Sequence, residues 1–200
     1  MLDFRTLIAE TIQREARPVD KYGHQPRLYA LTRIVGEELT YDDDIVFAAA
    51  WLHDLGVFVG NRPEDPELLQ RWDHVAYACN RVPTILAEAG FPPEKIPAVL
   101  DAIRTHQPKD DPQTIEATIL RDADILEQLG AIGLLRAISK VGRDTRYARF
   151  SDIAPVLRNA LTDLPPRLRL ERARELVAAK VRLLSDFLEA MDKEADGALF

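Results

Sequence analysis

A histidine and an aspartate stand side by side where an apolar run of the chain ends. Residues 47–52 are small or aromatic and apolar, and His53, Asp54, Leu55 and Gly56 follow directly. Such a run predicts a buried helix, and an ionised carboxylate buried at its end without a partner costs several kcal/mol. The simplest partner is a cation. This pair is therefore the first candidate for metal binding or proton transfer.

The four histidines of the chain occupy comparable positions. His24 and His106 fall on the apolar stripes of two predicted helices, His53 ends a third helix, and His74 opens a fourth. A single histidine on an apolar face is in most proteins a hydrogen-bonded core residue and not a ligand. Four such positions out of four, with Asp54 beside one of them, favour a shared metal site.

A second inward-facing carboxylate is predicted at Asp124, among apolar residues of a helix over about 113–128. Asp122 points elsewhere on that helix, and we expect it to cap a helix or pair with an arginine. Mixed imidazole and carboxylate ligands favour Mn, Fe, Co or Zn over Mg or Ca, which prefer shells of oxygen. Because no cysteine takes part, the pattern argues against a structural zinc site.

The elements that must position these residues are helical almost throughout, with no alternating strand pattern and no internal repeat. Helices are predicted from Asp3 to before Pro18 and over about 22–39, 45–55, 73–89, 93–106, 113–128, 134–141, 152–162 and 166–191. The fold class is therefore all-α. We expect a single domain over 1–200, a bundle of about eight to ten helices around a metal site. Its core spans about 20–130, and C-terminal helices over about 150–191 pack on that core.

Three local expectations concern the neighbourhood of the pair. Gly56 is expected to take the left-handed conformation that ends many helices. Residues 57–73 form the longest irregular stretch and are expected to act as a lid or substrate loop. Pro83 is expected to kink or break its helix near residues 79–82.

Charge and composition argue against two functional classes. A net charge of −7 disfavours general binding of nucleic acid, and residues 1–120 carry 12 Lys and Arg against 20 Asp and Glu. No segment reaches the ~18 consecutive apolar residues of a membrane span, and the N-terminus lacks a signal-peptide pattern. The lone Cys79 forms no internal disulfide, so a reducing cytoplasm is the expected compartment.

The order of the candidate residues resembles the H…HD…H…H…D pattern of the HD-domain metal-dependent phosphohydrolases. Residues 24–28 are similar to the H-x-x-R-V segment of that family, and residues 49–56 to its A-A-x-L-H-D-x-G segment. Residues 91–106 and 122–133 are similar to its short, single-domain YpgQ/YedJ-like group. The resemblance spans roughly residues 20–190.

The resemblance implies a first metal site with four ligands: His24, His53, Asp54 and Asp124. In family members with two additional histidines it implies a second site with three ligands: His74, His106 and a bridging Asp54. One or two divalent transition-metal ions are therefore the expected cofactors. Mn²⁺ or Fe²⁺ is the ion we expect first, and Co²⁺, Ni²⁺ and Zn²⁺ are the alternatives.

A phosphate group needs cationic contacts besides a metal. The candidates for binding it are Lys21, Arg27, Arg104 and Lys109. Arg27 lies about one turn after His24, and a structural salt bridge is an equal alternative for it. The other three have the alternative of a solvated surface position.

Two acidic residues follow the pair in the loop. Glu64 and Asp65 are candidates for positioning the attacking water or for general acid catalysis, with a solvated acidic loop as the alternative. Together with Asp54 they complete the set of candidate catalytic residues.

The leading hypothesis is a metal-dependent phosphohydrolase that acts on a nucleotide or another small phosphorylated metabolite, with metal-activated water as nucleophile. The resemblance to the short group points to pyrophosphohydrolysis of nucleoside triphosphates.

The alternative is a di-iron oxygenase that cleaves a C–C or C–P bond with O₂. HD-domain proteins resembling inositol oxygenase carry a lysine where this chain has Val57, which weakens that alternative, and a binding module with a vestigial metal site is a third hypothesis. The expected partner is a small phosphorylated substrate, with no nucleic-acid polymer and no membrane, and the chain is expected to be a monomer or homodimer.

Overall fold

Ten α-helices make up most of the regular structure in the part of the chain that is described. The computed structural model describes residues 3–143 and 147–199. The helices are α1 Phe4–Glu15, α2 His24–Val35, α3 Asp43–Leu52, α4 Pro66–Gln70, α5 His74–Glu88, α6 Ile96–Arg104, α7 Ile115–Glu127, α8 Gly130–Ile138, α9 Phe150–Asp163 and α10 Glu171–Ala195. Within the described ranges no strand occurs, and the one β-type contact is an isolated bridge between Val59 and Arg62. The predicted all-α class is confirmed.

The chain divides into two compact units, Met1–Arg121 and Asp122–Phe200. The division falls within α7. The expectation of one domain over residues 1–200 stays a prediction. In the two described ranges, no helix combines the length and the apolar character needed to cross a membrane.

In the first unit, α3 is the central helix. Every residue from Ile45 to Leu52 is buried, as its continuous apolar sequence requires, and α1, α2 and α6 pack around it. Arg5 and Lys95 bind the Asp44 carboxylate at 2.6 and 2.9 Å near the N-terminus of the helix. A carboxylate in the first turn also suits the helix dipole. The helix that leads into His53 is thus fixed along its whole length.

Gly56 does not take the left-handed conformation expected of it. Instead, a 3₁₀ turn covers Leu55–Val57, and Gly56 is not among the glycines with positive φ. A Cβ atom here would lie 2.5 Å from the carbonyl oxygen of His74 and 2.6 Å from its Cα. Gly56 is therefore needed for close packing, because it lets the start of α5 lie directly against the end of the apolar run.

Helix α5 runs through Pro83 without the predicted break, and a kink near residues 79–82 stays a prediction. A proline inside a helix forfeits one backbone hydrogen bond and costs about 3 kcal/mol. The buried face of α5, which includes Ala78, Val82 and Leu86, offsets that cost by packing in the core. The loop over 57–73 is also more regular than expected, since it contains α4.

In the second unit, α10 packs against α8 and α9. It begins at Glu171 and not near 166, because residues Pro165–Arg167 form a separate 3₁₀ turn. The buried Asp122 accepts hydrogen bonds from the backbone N–H groups of Arg169 and Leu170, at 2.8 and 2.7 Å, just before α10. These N–H groups precede the first residue of α10, so Asp122 holds the segment that leads into that helix, and the expectation that it caps a helix or pairs with an arginine stays a prediction.

Candidate metal centre

Two histidines of the first unit follow the C-terminal ends of helices and are held in the same way. Nδ1 of His53, after α3, lies 3.1 Å from the carbonyl oxygen of Ala50, and Nδ1 of His106, after α6, lies 2.6 Å from that of Ile103. A carbonyl oxygen only accepts, so Nδ1 is the donor in each contact, and in the neutral ring Nε2 then presents a lone pair. Both rings are buried. The backbone therefore fixes the tautomer and ring direction that a metal ligand needs.

His24 brings a third ring to the same place. It is the first residue of α2, and not an interior residue of a helix from residue 22, because Val19–Gly23 form a 3₁₀ turn. Its Nε2 lies 3.4 Å from Nε2 of His53 and 3.7 Å from Oδ2 of Asp54. Adjacent ligands of one transition-metal ion lie about 3.0–3.4 Å apart at bond lengths of about 2.1 Å. The observed spacing is within a few tenths of an ångström of that geometry.

Asp54 lies at the bend between α3 and the 3₁₀ turn. Its backbone has φ −97° and ψ 14°, in the sparsely populated bridge region where active-site residues are often found. Oδ1 lies 3.6 Å from Nε2 of His53. Asp54, His53 and His106 also offer three ligand atoms that all lie within 4.8 Å of one another. The Asp54 carboxylate thus lies near the buried imidazoles of His24, His53 and His106.

His74 stands at the outer edge of this cluster. It is the first residue of α5, after the helix cap Asp73, whose side chain accepts a hydrogen bond from the Ala76 N–H. Its ring is half-buried, and the ring centroids of His74 and His106 are 6.0 Å apart. The structure therefore brings all four histidines and Asp54 into one region of the first unit, with His74 farthest out.

The chemistry of this donor set fits a divalent transition metal. Two Nε2 atoms that face each other repel when both present lone pairs, and a cation held between them removes that repulsion. The neighbouring carboxylate adds negative charge in a buried site, where an ion pair is screened little. Imidazole with carboxylate suits Mn, Fe, Co, Ni or Zn. The identity of the ion and the number bound stay predictions.

Asp124, the remaining predicted ligand, lies in the second unit on the C-terminal part of α7. It is buried, with 8% of the residue exposed. Gln128, one turn later, donates from Nε2 to Oδ2 of Asp124 at 3.1 Å. The inward position that the sequence predicts is confirmed, and its role as a ligand stays a prediction.

The four predicted phosphate-binding cations lie on the first unit. Lys21 is in the 3₁₀ turn before α2, and Arg27 is exposed on the first turn of α2. A Cβ atom at Gly23 would lie 2.8 Å from Nη1 of Arg27, so the guanidinium lies directly over the Gly23 backbone. Arg104, the last residue of α6, and Lys109, in the turn beyond it, are both exposed. Their roles in substrate binding stay predictions.

Both candidate acids of the loop are exposed. Oδ1 of Asp65 accepts hydrogen bonds from the N–H groups of Glu67 and Leu68, at 2.9 and 3.0 Å, and so caps α4. Glu64 immediately precedes that cap. The predicted catalytic roles of Glu64 and Asp65 are not tested by these positions and stay predictions.

Sequence reasoning missed the side chains that hold the loop against the site. The indole N–H of Trp72 donates to the carbonyl oxygen of Gly56 at 2.7 Å, and Nδ2 of Asn61 donates to that of Leu55 at 3.0 Å. One signal was available, because a tryptophan two residues before His74 is unusual in a polar loop. The partners lie 16 residues before Trp72 and 6 residues before Asn61, and neither spacing is a recognised local pattern.

A second missed contact joins α1 to α5. Arg81 binds both carboxylate oxygens of Glu15, at 2.8 and 2.9 Å, and Asn61 donates to the same carboxylate at 3.2 Å. Burial alone raises the pKa of Glu15, but the hydrogen bonds from Arg81 and Asn61 outweigh it and hold that pKa below its usual value. This contact fixes the outer side of α5, the helix that begins with His74.

Known proteins share the sequence features and the helical fold of this chain. The family model described as HD domain matches residues 22–129. The Bacillus subtilis (strain 168) protein YpgQ is 26% identical over 208 residues, covering 96% of this chain and 92% of YpgQ. A crystal structure of Bacillus subtilis YpgQ in complex with ADP has a TM-score of 0.70 at 24% identity, over 96% of this chain and 94% of that chain.

Two further solved structures share the fold at lower identity. A Bacillus thuringiensis protein described as an HD-superfamily hydrolase has a TM-score of 0.69 at 21% identity, covering 96% of each chain. A Lactobacillus plantarum protein has a TM-score of 0.75 at 17% identity, covering 98% of this chain and all of the other. Since the family model matches more than half of the chain and encloses every predicted metal ligand, this protein belongs to the HD domain family and has the all-α fold of HD-superfamily hydrolases.

Proposed function

We propose that this chain is a metal-dependent phosphohydrolase that acts on a nucleotide or another small phosphorylated metabolite. The observation that carries the proposal is the convergence of His24, His53 and Asp54, with the two Nε2 atoms 3.4 Å apart and the carboxylate oxygens at 3.6 and 3.7 Å. A buried donor set of this kind suits a divalent transition metal. Membership of the HD domain family supports the same chemistry.

The first ion would be held by the four residues His24, His53, Asp54 and Asp124. A second would be held by His74, His106 and Asp54 as a bridge. When bound, such an ion supplies Lewis acidity, which lowers the pKa of water and polarises a phosphoryl oxygen. We favour Mn²⁺ or Fe²⁺, followed by Co²⁺, Ni²⁺ and Zn²⁺.

The protein's own cations would bind and orient the phosphate groups. Arg27 is the first of these, because its guanidinium lies over Gly23, the residue before His24. Lys21, Arg104 and Lys109 are the others, each close in sequence to a predicted ligand. We assign positioning of the water or protonation of the leaving group to Glu64 or Asp65.

A nucleotide is the favoured substrate class. The crystal structure of YpgQ contains ADP, and a nucleotide supplies the anionic phosphates that Lys21 and Arg27 would bind. Release of pyrophosphate from a nucleoside triphosphate is the more specific form of the proposal. A reducing cytoplasm remains the expected compartment, and monomer or homodimer the expected assembly.

The decisive experiment measures bound metal in the purified protein and then assays release of phosphate and pyrophosphate from a nucleotide panel with added Mn²⁺. We expect release from at least one nucleotide and loss of release in His53→Ala. No release from the panel, together with two irons per chain and O₂ consumption with a polyol or phosphonate, would establish the oxygenase alternative instead.

The same assay tests Arg27. Arg27→Ala should raise KM several-fold while leaving Mn²⁺ affinity unchanged, because this side chain would bind substrate and not metal. Arg33→Ala, on an exposed position of the same helix, is the matched control and should change neither quantity. An unchanged KM in Arg27→Ala would mean that Arg27 does not bind the substrate.

A further inference from the structure

The Asp124 carboxylate accepts a hydrogen bond from Gln128 and is faced by the guanidinium of Arg136 at a greater distance. Nε2 of Gln128 donates to Oδ2 of Asp124 at 3.1 Å and approaches its backbone carbonyl at 3.3 Å. Nη1 of Arg136 lies 4.0 Å from Oδ1 of Asp124. The amide contact fixes the rotation of the carboxylate, and the guanidinium stays beyond hydrogen-bond distance.

Arg136 stays at that distance because a second carboxylate holds it. Nη1 of Arg136 donates to Oε2 of Glu127 at 3.1 Å, and only 5% of the Glu127 side chain is exposed. Arg136 therefore lies near two buried carboxylates, Asp124 and Glu127. It is hydrogen-bonded to Glu127, which is not a predicted metal ligand. If Glu127 lost its charge, Asp124 would become the stronger attraction for this guanidinium.

The close packing of α8 against the end of α7 explains why this arrangement forms. A Cβ atom at Gly133 would lie 2.2 Å from the carbonyl oxygen of Gln128 and 2.3 Å from its carbonyl carbon. Only glycine permits that contact. The backbone of Gln128 therefore packs closely against α8. Arg136 lies about one turn after Gly133, and this packing places it beside Glu127.

We propose that Gln128 and Glu127 are positioning residues for the Asp124 carboxylate and that together they set the affinity of this chain for its metal. Gln128 fixes the orientation of the carboxylate. Glu127 holds Arg136 back, so that the guanidinium does not compete with a metal ion for Asp124. This inference rests on the proposed function, in which Asp124 is a ligand.

The test is a calorimetric titration of metal-free protein with Mn²⁺ alone. Gln128→Leu and Glu127→Gln should each weaken Mn²⁺ binding by about 10- to 100-fold, the usual loss when a residue behind a ligand is removed. The double variant Glu127→Gln/Arg136→Met should recover most of that affinity, because the competing cation is gone. A merely structural role for Glu127 predicts no recovery.

Thermal unfolding of the metal-free variants separates folding from binding. Gln13→Leu and Arg158→Met, at exposed positions, are the matched controls and should bind Mn²⁺ like the wild type. If Glu127→Gln fails to fold, Gln128→Leu at its half-buried position decides the matter. Wild-type affinity in folded Gln128→Leu, or a double variant that binds no better than folded Glu127→Gln, would overturn the inference.

Asp124→Asn distinguishes this inference from the proposed function. If Asp124→Asn loses Mn²⁺ binding and Gln128→Leu keeps it, the ligand assignment holds and the positioning role is wrong. If Asp124→Asn itself binds Mn²⁺ like the wild type, Asp124 is not a ligand and the inference fails together with that part of the proposal.

Discussion

The four histidines form two pairs that the helices hold in opposite ways. His53 and His106 follow the C-terminal ends of α3 and α6, where backbone carbonyls lack helical partners and accept from Nδ1. His24 and His74 are the first residues of α2 and α5, where the backbone presents N–H donors instead. The C-terminal pair is therefore oriented by the carbonyls of its own helix turns, a kind of contact that the first turn of a helix does not offer to the N-terminal pair.

The difference also concerns charge. The N-terminal end of a helix carries a partial positive charge, which disfavours a nearby cation by a few tenths to about 1 kcal/mol. A metal bound by His24 or His74 therefore needs compensating negative charge. Asp54, which directly follows His53 in the sequence and lies 3.7 Å from Nε2 of His24, is in place to supply it. The groups that orient the imidazole rings therefore differ from the residue that supplies negative charge to a bound cation.

Removing the compensating charge should have the largest effect. Asp54→Asn keeps the size of the side chain but removes the negative charge beside His24 and His53, so Mn²⁺ affinity should fall by about 100-fold or more. Hydrolysis should fall to background. Calorimetric titration and the nucleotide assay measure the two losses. Asp186→Asn, at an exposed position on α10, is the control, and equal Mn²⁺ affinities in the two variants would contradict the role of Asp54.

Gly56→Ala should displace one N-terminal histidine without changing its side chain. The new methyl group would meet the His74 backbone at 2.5 Å, and overpacking of this kind costs about 1–3 kcal/mol. Urea unfolding should show that loss. Gly60→Ala is a useful comparison, because its Cβ atom meets nothing within 4 Å and only the φ of +97° opposes it. Its cost should be about 1 kcal/mol. A Gly56→Ala variant as stable as the wild type would mean that the contact relaxes easily.

The two pairs should differ in their response to truncation. His106→Ala removes a buried ring that is bonded to the Ile103 carbonyl, and it should weaken Mn²⁺ binding by about tenfold or more. His74→Ala removes a half-buried ring at the edge of the cluster, and its effect should be smaller. Calorimetric titration of both variants with Mn²⁺ under the same conditions measures the two losses. A larger loss of Mn²⁺ affinity in His74→Ala than in His106→Ala would contradict this prediction.

The smallest effect should come from the distant contact that supports α5. Because the folded-state pKa of Glu15 is lowered, the carboxylate contributes stability above its unfolded pKa of about 4.3, and this is lost as the pH falls through the folded value. The stability difference between wild type and Glu15→Gln should therefore be present at neutral pH and shrink below about pH 4. Unfolding curves measured from pH 7 to pH 3 test this, with Glu10→Gln on the exposed face of α1 as control. A difference that does not change with pH would contradict it.

Local signals predicted the residues that end or begin helices. An apolar run that ends at His53, and a helix over about 73–89 that His74 opens, are readable because the causes lie within one or two turns. The precise ends of α2 and α6 were missed, since short 3₁₀ turns and loops decide where those helices begin and end. His106 is buried as predicted, but it lies beyond α6 and not on it.

Long-range contacts could not be predicted in the same way. Gly56 was expected to end a helix, whereas it is required by the backbone of His74, 18 residues later. Asp122 was expected to cap or pair, but its partners at 169 and 170 are 47 and 48 residues away. A single sequence records which residue is unusual. It does not record which distant group makes that residue necessary.

The hydrogen bond from Trp72 to Gly56 gives this protein an optical reporter of its own site. The chain has two tryptophans, and Trp51 and Trp72 each precede a candidate ligand by two residues. Trp51 is buried in α3, whereas Trp72 is half-buried and bonded next to the Asp54 bend. We therefore expect their emission spectra to differ and a paramagnetic ion in the proposed site to quench them. Fluorescence of the unlabelled protein can follow ion loading in real time, and Trp72→Phe isolates the buried indole.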